Sequence, residues 1–367
     1  MDTAYGTNAP EAVKLWSRKL AREALKKTYV KRFMGSGADS IVQIKNETQK
    51  NPGDSIRMTL RMQLTGDGTL GDANLEGNEE SLTTWTDNVV INQLRHAVRS
   101  EGTMSEQRIP FSIRDEAQGG LADWWADRWD TWFFNQVCGY TPVVDPRFSG
   151  MNPTSAPTRR VFAGGVSNEQ SLTTGMEFSL GLIDLAVENA KVGQTGVVPP
   201  MRPVKVDGKD YFVAFLHPFQ VTDLRTQTST DPSKPVLWYD IHKSALQGGS
   251  KASNPIFTGA LGEYNGVVLH ESTRITQGVH ASSGAVQANV RRAVLCGAQA
   301  AVCGFGEGHD KSTYDWFEQL FDYGNKLGVK AGCIAGLKKS TYNSNDFAVV
   351  VMSSYAAAHT SLPAPEA

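Results

Sequence analysis

The segment Arg114-Asp-Glu-Ala-Gln-Gly-Gly-Leu-Ala-Asp-Trp-Trp-Ala-Asp-Arg-Trp-Asp-Thr-Trp-Phe-Phe-Asn-Gln-Val-Cys138 decides how the rest of the chain is read. Leu121, Trp125, Trp129, Trp132, Phe133 and Val137 recur at helical spacing and form a wide aromatic stripe. Asp115 and Glu116 stand where the positive end of a helix dipole favours carboxylates. Half of the eight tryptophans lie in this stretch, so the predicted helix 114–138 anchors a core and buries its rings against β-layers of the same subunit. Asp123, Asp127 and Asp130 share another face and are expected to meet solvent or a neighbouring chain. Three carboxylates on one face also suit a hard cation, but no loop completes a coordination shell, and a solvated face is preferred.

Upstream, Ile56, Met58, Leu60, Met62 and Leu64 alternate with Arg57, Thr59, Arg61 and Gln63. Together with Ile41 and Ile44 they predict a two-faced β-ribbon over 41–64, turned at Asn51-Pro52-Gly53-Asp54. A glycine-rich acidic stretch follows from Gly66 to Asp87, and no Lys or Arg lies between Arg61 and Arg95. A long hairpin with an acidic tip buries little within itself, so it requires a neighbour. This nominates Arg57, Arg61, Glu76, Glu79 and Glu80 as contacts with another copy of the chain. Before the ribbon, Val13, Trp16, Leu20, Ala24 and Leu25 predict an amphipathic helix over 11–34. Its other face is basic, either a solvated surface or an arm that docks on an acidic partner or near nucleic acid.

Downstream, the prolines and turn pairs between Thr141 and Pro157 read as a long surface connection or domain boundary. A helix is expected from about Ser171 to Val192, a buried strand over Tyr211–Leu216, and a short helix from Pro218 to about Arg225. A strand at Gly266–His270, a strand running into a small-residue helix at Ala293–Cys303, and a closing strand at Phe347–Met352 complete the pattern. Strands and helices mix without a regular βαβ beat, which makes the fold α+β. The tail from His359 is Pro/Ala-rich and expected to fray.

Composition narrows the function. The 367 residues are enough for roughly two to three cores. With 36 Lys+Arg against 38 Asp+Glu, the chain lacks the basic excess of a dedicated nucleic-acid binder. No apolar run approaches the ~20 residues of a membrane span. The N-terminus lacks a signal-peptide layout, so the chain reads as soluble and cytoplasmic. Cys138, Cys296, Cys303 and Cys333 form no CxxC pair and read as buried thiols. Gly66-Asp-Gly-Thr-Leu-Gly71 matches GxGxxG, but the acidic sequel would repel a phosphate. No P-loop, GxSxG or HExxH motif occurs, and the seven histidines are scattered, with His217 read as structural. No catalytic residues, cofactor or metal are expected.

The order of these pieces, a basic arm, a long hairpin, a long helix and a glycine-rich mixed region, resembles the major capsid proteins of tailed bacteriophages. These have the Hong Kong 97 type capsid fold, and the likeness is to the large-podovirus-like subgroup. It is carried by His217-Pro-Phe-Gln-Val-Thr-Asp-Leu-Arg225, Gly262-Glu-Tyr-Asn-Gly-Val-Val-Leu-His-Glu-Ser272, Leu295-Cys-Gly-Ala-Gln-Ala-Ala301 and Asp322-Tyr-Gly-Asn325. The last continues into Ile334-Ala-Gly-Leu-Lys-Lys339 and Asn345-Asp-Phe347. The resemblance implies an N-terminal arm at 1–35, an extended E-loop hairpin at 36–95 and a P-domain at 96–200 with a spine helix at 114–138. It further implies an A-domain at 201–345, with a return strand and tail at 346–367. It implies self-assembly as pentamers and hexamers into an icosahedral shell that encloses double-stranded DNA without sequence-specific binding. Portal, scaffold and decoration proteins are the further partners it suggests; no membrane is involved. The location would be the virion, and the bacterial host cytoplasm during assembly. An encapsulin-type nanocompartment shell and an α+β enzyme with a site built from distant residues stay open as alternatives.

Overall fold

The computed structural model describes residues 20, 28–46, 53–61, 66–72, 74–82, 84–110, 112–193, 199–206, 208–226, 259–307 and 313–359. The tryptophan segment forms a helix, Ile113–Val137, started by Ser112, whose side chain accepts the Asp115 N–H at 3.4 Å. Its rings do what their spacing predicts: Trp125, Trp129, Trp132 and Phe133 are at most 1% exposed. The Trp129 indole N–H donates to the Tyr314 hydroxyl at 2.8 Å, and the Trp129 ring meets Phe305 at 5.4 Å. Both partners belong to one sheet, which runs Met34–Gly35, Val42–Lys45, Ala301–Phe305, Lys326–Lys339, Tyr314–Phe321, with Asn92–Arg99 also paired to Lys326–Lys339.

The C-terminal end of the helix packs on a second sheet. Phe133 and Phe134 meet Phe215 at 5.7 and 5.6 Å. That sheet runs Arg160–Phe162, Val349–Tyr355, Val286–Cys296, Lys209–Leu216, Val267–Glu271, Gly262–Tyr264, and the helix Leu180–Val192 packs on Val349–Tyr355. A buried ion pair locks the junction. Arg292 Nε and Nη2 donate to Glu169 at 2.7 and 2.8 Å, while Arg292 Nη1 reaches the carbonyls of Cys138 and Gly139 at the end of the long helix. A second buried pair, Lys339 with Asp346 at 2.6 Å, holds the end of the longest strand.

Several expectations need correction. Val42–Lys45 does not pair with Ser55–Arg61; it lies parallel between Met34–Gly35 and Ala301–Phe305. The hairpin is instead Ser55–Arg61 with Thr84–Val90, and the acidic stretch is its tip. Residues 293–303 hold no helix: the strand Val286–Cys296 passes directly to Ala301–Phe305, linking the two sheets. The helix expected from Ser171 begins at Leu180, after a single 3-10 turn Glu169–Ser171. The connection 141–157 runs over the surface as expected, with Val144 86% exposed, but it is pinned to the long helix, since the Arg147 and Phe148 carbonyls accept from Trp132 and Asn135 and Ser149 and Asn152 are buried. Most of the helix expected over 11–34 lies outside the described residues; Val30–Phe33 is a 3-10 turn leading into Met34–Gly35. The turn residues Asn51 and Pro52, and the tail from 360, also lie outside them.

The strands Lys209–Leu216 and Val267–Glu271, the helix Pro218–Thr226 and the closing strand Val349–Tyr355 match the sequence reading within two or three residues at each end. All four cysteines are buried and free. No described helix is long and apolar enough to cross a membrane.

Candidate functional site

Alternation along the hairpin limbs sorts its residues by face. Ile56, Val89 and Asp87 turn toward the body and are buried, while Arg57, Thr59, Thr86 and Asn88 take the alternate positions and are exposed. The inward apolar pair Ile56 and Val89 fixes which face meets the body, because a one-residue slip would expose both. Asp87, the last acid of the acidic stretch, belongs to this root rather than to the tip. It accepts the Lys338 ammonium and the backbone and hydroxyl of Thr341, the latter two at 3.1 Å. Asn152 clips the end of the second limb, donating to Val90 O at 3.0 Å and accepting Val90 N–H at 2.9 Å. At the same crossing, a Cβ on Gly336 would lie 2.0 Å from Val90 O, so only glycine lets the limb pass.

Beyond Arg61 the chain leaves the body. Every described residue from Gly66 to Leu82 except Thr69 is exposed, including Leu70 at 92%, Leu75 at 60% and Leu82 at 59%. Within the tip, Glu80 accepts Gly66 N–H at 2.7 Å and Glu79 accepts Gly77 N–H at 2.8 Å. Glu76 is exposed and has no hydrogen bond or ion pair among the described residues. The tip thus offers carboxylates and leucines together, a surface that gains from covering by a partner. Of the nominated contact residues, Arg57, Glu76, Glu79 and Glu80 are all exposed, Arg57 on the limb and the acids on the tip; the Arg61 side chain lies outside the description.

Where the limbs meet the body, a cleft of 270 Å³ opens between Lys45, Arg57, Met58, Val302, Ser340 and Phe347. The Ser340 hydroxyl is buried there without a hydrogen-bond partner. A second exposed surface was missed from the sequence. The edge strand Tyr314–Phe321 buries Tyr314 and Trp316 but exposes Phe317, Leu320 and Phe321, and Tyr323 in the following turn is fully open. The alternation of Tyr314, Trp316 and Glu318 was the available signal.

The aspartates of the long helix divide. Asp123 and Asp127 are exposed, and Asp127 pairs with Arg274. Asp130, expected outside, is buried and accepts the N–H groups of Tyr29 and Val30 at 3.1 and 3.0 Å. Burial raises its pKa, and those two N–H groups pull it back down. No group of three His, Cys, Asp or Glu suited to a metal ion occurs among the described residues. His217 is structural: its Nδ1 accepts the Phe219 N–H at 3.2 Å at the start of the helix Pro218–Thr226.

Comparison with known proteins places the chain among phage capsid proteins. The model of a family described as phage capsid protein matches residues 3–358. The chain is 27% identical over 380 residues to the major capsid protein of Pseudomonas phage KPP25, covering 95% of this chain and 96% of that protein. Its fold matches the capsid of Ralstonia phage GP4 with a TM-score of 0.78 and 31% identity, over 98% of this chain and 99% of that one. The cyanophage Pam1 capsid shares the fold at 20% identity and a TM-score of 0.68, over 91% and 94% of the two chains.

Proposed function

This chain belongs to the phage capsid protein family, and from that premise we propose how it builds a shell. It is a phage major capsid protein of the Hong Kong 97 type, a structural protein of the virion that forms the icosahedral head. Our reading is that copies associate as pentamers and hexamers around double-stranded DNA, assembled in the host cytoplasm with portal, scaffold and decoration proteins as further partners. The near-zero net charge of −2 supports a container over a DNA-binding lining. The relatives named above are phage capsids, which favours this reading over a nanocompartment shell or an enzyme.

The layout we propose is an N-terminal arm at 1–35, an E-loop at 36–95, a P-domain at 96–200 built on the spine helix, an A-domain drawn from within 201–345, and a return strand and tail at 346–367. The strands Ala301–Phe305, Tyr314–Phe321 and Lys326–Lys339 complete the P-domain, because they share a sheet with Asn92–Arg99 and cover the tryptophan stripe. Arg57, Arg61, Glu76, Glu79 and Glu80 act in subunit contacts.

The observation that carries this reading is the hairpin tip, which projects leucines and carboxylates that none of the described residues covers. A closed symmetric shell repeats each weak contact at every copy, so contacts of modest strength suffice. The test is sizing and electron microscopy of the purified protein over a range of concentration and salt, with and without its scaffold. Closed shells are expected; monomers under every condition would refute the proposal.

A further inference from the structure

We propose that the cleft at the hairpin root is the socket for Leu75 and Glu76 of a neighbouring copy's hairpin tip. This rests on the shell reading and names the partner surface within it. The cleft has two kinds of wall. Arg57 brings positive charge, with Lys45, which already has a partner, beside it, and the hydroxyl of Ser340, a residue 5% exposed, is a buried polar group with no hydrogen-bond partner. Met58, Val302 and Phe347 supply apolar surface beside it. A carboxylate next to a leucine is the complement of that lining.

The tip supplies this pair. Glu79 and Glu80 already hold backbone N–H groups of their own tip, whereas Glu76 holds none among the described residues, and Leu75 beside it is 60% exposed. One carboxylate in the lining, Asp87, opposes an incoming acid, but it is engaged by Lys338 and Thr341. The cleft's 270 Å³ far exceeds the ~10–15 Å³ that one water requires. Tip and socket lie on different parts of each chain, so the contact runs head to tail, and such contacts close into rings when the rotation allows.

A charge swap tests the assignment. Arg57→Glu and Glu76→Lys should each lower shell yield at least tenfold, and the two together in one chain should restore it to within about threefold of wild type. Single variants that assemble normally, or a double variant no better than the singles, would overturn the socket. Wild-type protein run alongside judges the shell reading separately: if it forms shells while the swap fails, only the socket is wrong. Should a charge variant fold poorly, the pair Glu76→Cys with Thr59→Cys, treated with a short bis-maleimide, decides instead. Covalent multimers are expected, since the four native cysteines are buried, and monomer alone overturns the contact.

Discussion

At Trp129 one ring joins helix and sheet, through its N–H bond to Tyr314 and its contacts with Phe305 and Trp132. Trp129→Ala should cost about 3–5 kcal/mol, the usual range for emptying a large core aromatic. Against a total near 5–15 kcal/mol, this shows as a large fall in the denaturant midpoint of the unassembled subunit. Asp130→Asn is the contrasting case. The helical period groups Asp130 with Asp123, but residues about a hundred positions upstream lie over it and donate two backbone N–H groups. An amide keeps one acceptor and turns a donor toward the other N–H, so we expect a loss of about 1–3 kcal/mol by the same measurement. The burial of the tryptophans was legible because periodicity reports on one helix; that of Asp130 was not, because its cover comes from elsewhere. His217 gives a pH signature. Burial first, then nearby Arg291, holds its pKa at about 4, below the ordinary 6.5. The unfolded chain takes up this proton near pH 6.5 and the folded chain only near 4, so the contribution is present above about 6.5 and lost as pH falls toward 4. Asp223 on the same helix, flanked by His359 and Glu177, is raised by burial to about 6 and acts with the opposite sign between about 4 and 6. His217→Asn retains an acceptor for the Phe219 N–H without titrating, so its stability relative to wild type should rise from pH 7 to pH 5. A constant difference would refute this.

The hairpin shows how an element can be read with the right faces and the wrong partner. The parity of Ile56 and Met58 against Arg57 and Thr59 was correct, since alternation is local. The pairing was not, because the turn signal near Gly53 is adjacent in sequence while the true partner, Thr84–Val90, lies beyond the whole acidic tip. The link at 297–300 failed for a related reason. Its small residues favour a helix, yet Gly297 N–H goes to Ala348 O at 2.9 Å and Ala298 N–H to Arg202 O at 2.8 Å, both supplied by distant segments. Of the candidate contact surface, the acidic tip was legible because charge and glycine content suffice to find it. The cleft was not, since its lining comes from residues 45, 57–58, 302, 340 and 347. Reversing Glu76, Glu79 and Glu80 together to Lys tests the tip as an element. Exposed ion pairs are worth only ~0–1 kcal/mol each, so the unfolding midpoint of the subunit should stay near wild type. The same loss at every copy should cut assembly yield at low salt at least tenfold; an unchanged yield would count decisively against a role for the tip.

Across the whole molecule, the residues that hold the two sheets together lie apart from the hairpin tip we propose for assembly. The two sheets are joined through the long helix, the direct strand-to-strand link and the buried pair of Arg292 with Glu169, none of which involves the hairpin tip. The exposure of the tip could therefore be read from sequence, as an element too polar and too long to bury itself, while the body that carries it depends on pairings between remote segments. Replacing residues 62–83 with Asn-Gly separates the two roles. Arg61 and Thr84 are already paired across the limbs, so a two-residue turn suited to the strand twist can close the ladder. No buried residue is removed among the described ones, and shortening a loop alters closure entropy by only ~0.6 kcal/mol per halving. The shortened subunit should unfold within about 1 kcal/mol of the full chain, yet remain monomeric at concentrations where the full chain forms shells. Trp129→Ala should do the reverse, lowering stability first and assembly only as a consequence. Closed particles from the shortened chain, seen by electron microscopy and sizing, would show that shell contacts reside elsewhere, with the exposed Phe317, Leu320, Phe321 and Tyr323 surface the next to be tested.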